Sequence, residues 1–166
     1  YWIVTSKSLN SKKVFKKSCN FSIYWYNSIS RNFDERKERG VMLKKVAILA
    51  NGGDVSGFNA VIRAIIKTAE NKNIECYGFI DGFRGLLKNN IIRLGTSSTG
   101  NAIGILPKGG SIIGSSTNAN VFNYPVEENG ETVYKDLSDI CVENIKKDEI
   151  DCLFTLGGDG TQKSAR

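Results

Sequence analysis

Apolar positions along this chain form short continuous runs that alternate with amphipathic stretches and are separated by glycine-rich turns. The run KVAILA at 45–50 is apolar after its first residue, the pattern of a strand buried on both faces. It ends in NGGD at 51–54, after which GFNAVIRAIIKTAE at 57–70 reads as a helix. Val61, Ile65 and Ala69 recur four residues apart with Ile62 and Ile66 beside them, giving one apolar stripe. The run IECYGFI at 74–80 is predicted as a second strand. Strand, glycine loop, helix and strand make a βαβ unit, which calls for a parallel sheet and a right-handed crossover.

Further along, DGFRGLL at 81–87 predicts a turn with at most one helical turn, followed by the apolar run IIRL at 91–94. GGSIIG at 109–114 reads as a short strand. YPVEENGETVY at 124–134 sets Asn129-Gly130 between two strands, a hairpin signal. Over 136–147, Leu137, Ile140, Cys141 and Ile145 fall at helical spacing, and Lys146 and Lys147 suit the negative C-terminal end of that helix. DCLFTL at 151–156 is a third buried strand and delivers GGDGT at 157–161. The expected fold class is α/β, doubly wound, Rossmann-like, with a mainly parallel sheet.

Charge divides the chain unevenly. Of the formal net charge of +6, residues 1–41 carry all: nine Lys/Arg against three Asp/Glu, while residues 42–166 hold 14 of each sign. The α/β region therefore has no net charge to draw a polyanion. With no recognition module beside the basic segment, a nucleic-acid partner is not expected. Residues 1–41 also contain both tryptophans, no Ala and no Met, and the single methionine of the chain is Met42. That pattern predicts a start at Met42, with 1–41 a translated upstream leader or disordered extension and 42–166 the partial nucleotide-binding domain. A targeting presequence is the rival reading, but the segment lacks the apolar core of a secretory signal and is Lys/Asn-rich.

The four cysteines (19, 76, 141 and 152) form no C-x-x-C pair, and there is no His. A zinc site lacks ligands on that count, and free buried thiols in a reducing, cytoplasmic setting are expected. No apolar run approaches the ~18 residues of a membrane span. Without His, proton transfer must rest on Asp, Glu or a group outside the chain.

Two predicted strands each end in Gly-Gly-Asp. In an open parallel sheet, ligands bind beyond the carboxyl ends of the strands, where neighbouring loops meet. Glycines let backbone N–H groups close on phosphate oxygens with no Cβ in the way. A carboxylate inside such a loop repels phosphate unless a divalent cation lies between, which makes Asp159 a candidate Mg²⁺ ligand. Thr161 is placed to donate to phosphate or to cap the next helix. A tight βα turn with Asp as its cap is the structural alternative for either loop alone.

NGGDVSGFNAVIR at 51–63, DGFRGL at 81–86, KGGSIIGS at 108–115 and LGGDGT at 156–161 follow in one order, and together they resemble the loops of 6-phosphofructokinases. The resemblance spans residues 44–166. It implies transfer of phosphate from ATP, or in some members pyrophosphate, to the 1-hydroxyl of fructose 6-phosphate, a glycolytic step that uses Mg²⁺. Carried over by residue, it implies Gly53 against the ATP phosphates and Phe83 beside the adenine. Gly158, Asp159, Gly160 and Thr161 would cradle the phosphates, with Asp159 on Mg²⁺, and Arg63 and Lys67 would receive an effector phosphate.

The glycine at 160, where pyrophosphate-using members usually carry a second Asp, implies ATP as donor. Family members commonly place an Arg near Thr117 and Asn118; both residues here are neutral and forgo charge stabilisation of the moving phosphoryl group. The family's catalytic Asp and sugar-phosphate arginines fall beyond Arg166, so the resemblance puts no catalytic residue within this chain. It is expected to be a truncated, inactive N-terminal portion of a homotetrameric enzyme, with an open apolar edge on its third strand. Two alternatives use the same loops: a kinase of the NAD or diacylglycerol type, and a nucleotide-binding relic without catalysis.

Overall fold

A computed structural model describes residues 2–8, 17–19, 42–53, 55–97, 100–117 and 120–165. Its sheet is built from β1 (Trp2–Ser8), β2 (Lys17–Cys19), β3 (Lys45–Ala50), β4 (Glu75–Phe79), β5 (Ile91–Leu94) and β8 (Cys152–Gly157). The order across the sheet is β2-β1-β8-β3-β4-β5. β3 pairs parallel with both β4 and β8, while the pairings β4–β5, β1–β8 and β1–β2 are antiparallel. The sheet is therefore mixed, parallel at its centre and antiparallel at its edges. A separate hairpin joins β6 (Tyr124–Glu128) to β7 (Glu131–Lys135).

Helices cover both faces, as a doubly wound α/β fold requires. The β3 side chains alternate: Val46, Ile48 and Ala50 pack into one cluster, Ala47 and Leu49 into another, and all five are fully buried. Helix α1 (Phe58–Asn71) covers the first face with Ile62, Ile65, Ile66 and Ala69. Helices α2 (Phe83–Leu87) and α3 (Ser138–Lys147) cover the second, through Phe83, Leu86 and Cys141. Asn144 ties these two helices together by donating from Nδ2 to the Leu86 and Leu87 carbonyls at 2.8 and 3.2 Å. Helix α4 (Asp159–Ser164) follows β8 directly.

The expected strands and helices stand within a residue or two of their predicted bounds, and Asn129 and Gly130 both adopt positive φ, as a type I′ hairpin turn demands. The stretch 109–114 is corrected: it forms turns, and only Ser116 makes an isolated parallel bridge, to Asn51. The cause is Asn59. Its Nδ2 donates to the Lys108 and Gly109 carbonyls, each at 3.1 Å, and its Oδ1 accepts from the Ile112 N–H at 2.8 Å. A side chain that satisfies three backbone groups removes them from any sheet ladder. Ile113 then drops into the core above Gly78, where a Cβ would stand 2.7 Å from its Cγ2.

The edge of β8 expected to lie open carries β1 instead, with Ile3–Ser8 running antiparallel opposite Gly157–Cys152. Most of 1–41, and with it most of the leader-or-extension expectation, lies outside the described residues, as do Asp54, Asn118 and Arg166. Cys76, Cys141 and Cys152 are buried and outside any disulfide among the described residues. Burial pushes the Cys141 thiol up to about 12 and raises that of Cys76 as well, which keeps both in the unreactive thiol form.

Phe154 sits in the middle of β8 at 2% exposure. Replacing it with Ala is expected to lower stability by about 3–5 kcal/mol through lost transfer energy and a residual cavity. A fall in the urea midpoint with an unchanged slope would be the reading.

Candidate functional site

The site starts from one register. Ala50 of β3 stands opposite Leu156 of β8, so both strands leave the sheet at the same level and in the same direction. Strand order also reverses here. The chain passes from β3 to β4 through α1 on one face, and reaches β8, on the other side of β3, through α3 on the opposite face. A crevice at such a reversal, beyond the carboxyl ends of parallel strands, is where ligands bind in open α/β sheets.

Backbone hydrogen bonds gather the loops around it. The Asn51 N–H donates to the Leu156 carbonyl at 2.8 Å, and the Gly52 N–H to the Ser116 carbonyl at 2.9 Å. The Ser115 hydroxyl donates to the Gly52 carbonyl at 3.0 Å. The Asp81 N–H donates to the Ile113 carbonyl at 2.8 Å. The Thr161 hydroxyl donates to the Asn51 carbonyl at 3.0 Å. Segments 51–53, 81–82, 113–117 and 157–161 thus form one cluster.

Its glycines fall into two kinds. Gly157 (φ 153°) and Gly82 (φ 63°) are needed by the protein itself: a Cβ would stand 2.1 Å from the Asn51 carbonyl oxygen at 157, and 2.5 Å from that of Ala50 at 82. Gly158 and Gly160 are the reverse, with nothing within 4 Å of a Cβ, and Gly53 meets only Thr117 Cγ2 at 3.5 Å. Protein packing gives no reason for glycine at these three open positions. Asp159 is exposed in the first turn of α4. Among the described residues, no group of three or more His, Cys, Asp or Glu is assembled to hold a metal.

The candidate residues therefore divide. Gly53, Thr117, Gly158, Asp159 and Gly160 belong to the loops around the crevice, while Asn118 lies outside the described residues. The Thr161 hydroxyl proton is taken by the Asn51 carbonyl, and the residue is 4% exposed. It does not cap α4, since Gly158 holds that position without a side-chain bond. Phe83 is 2% exposed and packs in the α2/α3 cluster of the unliganded chain.

Arg63 and Lys67 are partly exposed one turn apart on α1, and Lys67 Nζ lies 4.0 Å from the Glu70 carboxylate. Sequence reasoning assigned no part to Asn51, Ser115 or Ser116. Asn51 gave a signal as a polar residue set directly between an apolar run and a glycine pair.

The arrangement defines a class first: a doubly wound α/β protein with glycine loops converging on a topological switch point. The chain belongs to the phosphofructokinase family, whose profile matches residues 45–166. It is 50% identical over 126 residues to ATP-dependent 6-phosphofructokinase 2 of Clostridium perfringens, covering 75% of this chain and 34% of that protein. It is 40% identical over 124 residues to the ATP-dependent 6-phosphofructokinase of Buchnera aphidicola subsp. Cinara cedri, again covering 75% of this chain and 34% of the relative. Among solved structures, the T-state phosphofructokinase of Pichia pastoris superposes with a TM-score of 0.60 at 28% identity, over 75% of this chain and 12% of that one. The chain spans about a third of the length of the curated relatives it matches.

The Glu70 carboxylate accepts from the Thr96 N–H at 2.6 Å, from the Ser97 N–H at 3.1 Å and from the Thr96 hydroxyl. Burial works to raise its pKa, but these bonds and Lys67 outweigh burial and hold it below the ordinary value. A carboxyl depressed on folding adds stability that is full above the unfolded pKa of about 4.3 and is lost as pH falls through the lower folded value. The wild-type advantage over Glu70→Gln in denaturant midpoint is expected to be constant near neutral pH and to shrink below about pH 4.3. An advantage independent of pH would remove the ionised carboxylate from the account.

Proposed function

We propose that residues 42–166 are the nucleotide-holding portion of an ATP-dependent 6-phosphofructokinase, and that the crevice between β3 and β8 takes the triphosphate. In this reading Gly53, Gly158 and Gly160 offer backbone N–H groups to phosphate oxygens. The observation that carries it is the open space over these glycines beside paired strand ends. Gly160 lies in the first turn of α4, where glycine is less favourable than alanine. A phosphate closing on the backbone supplies the reason for that disadvantage; packing does not.

Asp159 is the residue that would hold Mg²⁺. A single exposed carboxylate fits this metal, which keeps several waters and takes its remaining oxygens from substrate phosphates. The metal would screen developing charge on the transferred group. The bare Cα of Gly160 leaves room for the α-phosphate, which favours ATP over pyrophosphate as donor. The acceptor, by family resemblance, is the 1-hydroxyl of fructose 6-phosphate, giving fructose 1,6-bisphosphate in glycolysis.

The proton-accepting carboxylate for that step is not assigned to any residue of this chain. The purified 166-residue chain is therefore expected to form no fructose 1,6-bisphosphate in a coupled assay. Arg63 and Lys67, two partly exposed cations on one face of α1, are assigned to an effector phosphate. The whole enzyme is read as a cytoplasmic homotetramer, and no helix among the described residues is long and apolar enough to cross a membrane.

Binding without transfer is a second reading. It is favoured by Thr117, exposed beside Gly53 and neutral where a cation would stabilise the phosphoryl group.

Calorimetric titration separates donor and metal. The unmodified chain is expected to bind Mg·ATP more tightly than Mg·pyrophosphate. Gly160→Asp should weaken Mg·ATP by roughly tenfold or more through like charge and lost space, and leave Mg·pyrophosphate nearly unchanged. Equal affinity of both proteins for Mg·ATP would sink the phosphate assignment of Gly160.

A further inference from the structure

We infer that Asn51 and the Thr161 hydroxyl form a buried latch that fixes the 157–160 turn against β3, and that in the nucleotide site these two side chains position the turn. The effect on binding rests on the nucleotide reading above, whereas the latch itself is a property of the unliganded fold.

Two strong bonds and a longer one build it. Asn51 N–H donates to Leu156 O at 2.8 Å, the Thr161 hydroxyl donates to Asn51 O at 3.0 Å, and Asn51 Nδ2 donates to Thr161 Oγ1 at 3.5 Å. Asn51 is 6% and Thr161 4% exposed, so water does not compete. A hydroxyl has one proton, and here it points at a carbonyl inside the protein, which leaves none for a ligand.

The surroundings admit nothing else. A Cβ at Gly157 would stand 2.1 Å from the Asn51 carbonyl oxygen and 2.3 Å from Thr161 Oγ1, so the glycine exists to let the latch close. On its other side the Asn51 amide reaches the turn after β4, where a Cβ at Gly82 would lie 2.7 Å from Oδ1. One side chain is thereby wedged between the turn after β8 and the turn after β4. Its Oδ1, like the Ser116 hydroxyl, is buried without a partner among the described residues. An unmade bond is unfavourable, and a buried polar group that carries one calls for a reason. For Asn51 the reason is its other end, where Nδ2 and the backbone hold Thr161.

The latch explains how a turn of unpacked glycines keeps its shape without a nucleotide. Gly158 and Gly160 have no side chains to pack, so their N–H directions are set from residues 157 and 161, and residue 161 is anchored on β3. Preorganised donors bind better because their ordering is not deferred to the moment of binding.

The test compares Thr161→Val, an isosteric loss of the hydroxyl, with Thr161→Ser, which keeps it, and Asn51→Ala, which removes the wedge. Amide hydrogen exchange of the unliganded chain should speed up roughly tenfold at Gln162 and Ala165, whose N–H groups donate to the Gly158 and Thr161 carbonyls, in the Val and Ala variants while β3 and β4 amides stay slow, and Ser should restore protection. Mg·ATP affinity should fall about tenfold in the same two variants and recover in Thr161→Ser. Exchange at the wild-type rate in Thr161→Val overturns the latch. Faster exchange with unchanged Mg·ATP affinity overturns the positioning role and leaves the nucleotide reading standing. Failure of the unmodified chain to bind Mg·ATP overturns the nucleotide reading, and the exchange arm then judges the latch by itself.

Discussion

The crevice exists because β3 and β8 pair in one parallel register and no other. Ala50 opposite Leu156 makes residues 51 and 157 leave the sheet together. A slip of one residue would turn every side chain of one strand to the opposite face. For β3 that would exchange Val46 and Ile48 with Ala47 and Leu49, across two clusters built for different volumes. The far end of the pair is pinned as well: the Asp151 carboxylate accepts from the Lys44 and Lys45 N–H groups at 2.7 and 2.9 Å. Burial on both faces and a clamp at the start of the strands therefore fix the geometry of loops at their ends.

From that register the loops divide their work. Glycines that touch protein, 82 and 157, let the backbone turns nest against each other; glycines that touch nothing, 158 and 160, leave a surface of bare backbone. The same residue type serves opposite needs a single position apart, and only the neighbours distinguish them. Asn51 connects the two groups, because it packs against the first and, through Thr161, holds the second. A compact set of backbone contacts can then present a rim of bare backbone with almost no side chains of its own.

Local pattern made the core strands, the α1 stripe and the Asn129-Gly130 turn legible, since each depends on residues adjacent in sequence. The stretch 109–114 misleads because Ile112-Ile113 between glycines looks like a strand, while the deciding residue, Asn59, lies 53 positions away from Ile112. Thr161 and Asn51 are 110 positions apart, so their bond becomes visible only once β3 and β8 are known to be neighbours. Phe83 shows the same limit. An aromatic beside a glycine turn suits a nucleotide base, but its packing in one cluster with Val121 and Cys141 joins residues far apart in the chain. The β1–β8 pairing was likewise out of reach, because nothing in residues 2–8 marks them as partners of a strand in the α/β region.

In the nucleotide reading, electrostatics decides what form of nucleotide such a rim would accept. Residues 42–166 carry 14 charges of each sign, so the domain as a whole offers no field to gather an anion. At the rim Asp159 is an exposed carboxylate, and Thr117 adds no cation. A carboxylate about 4 Å from a phosphate charge repels it by about 4 kcal/mol at an effective dielectric of 20. That offsets roughly two backbone hydrogen bonds to a charged oxygen, at about 1.5–3 kcal/mol each. A bare nucleotide would therefore gain little from the open glycines. A divalent cation between Asp159 and the phosphates turns the same carboxylate from a repulsive group into a ligand. In the nucleotide reading, then, metal and nucleotide bind as one unit, and the acidic residue within the glycine loop is what makes them inseparable.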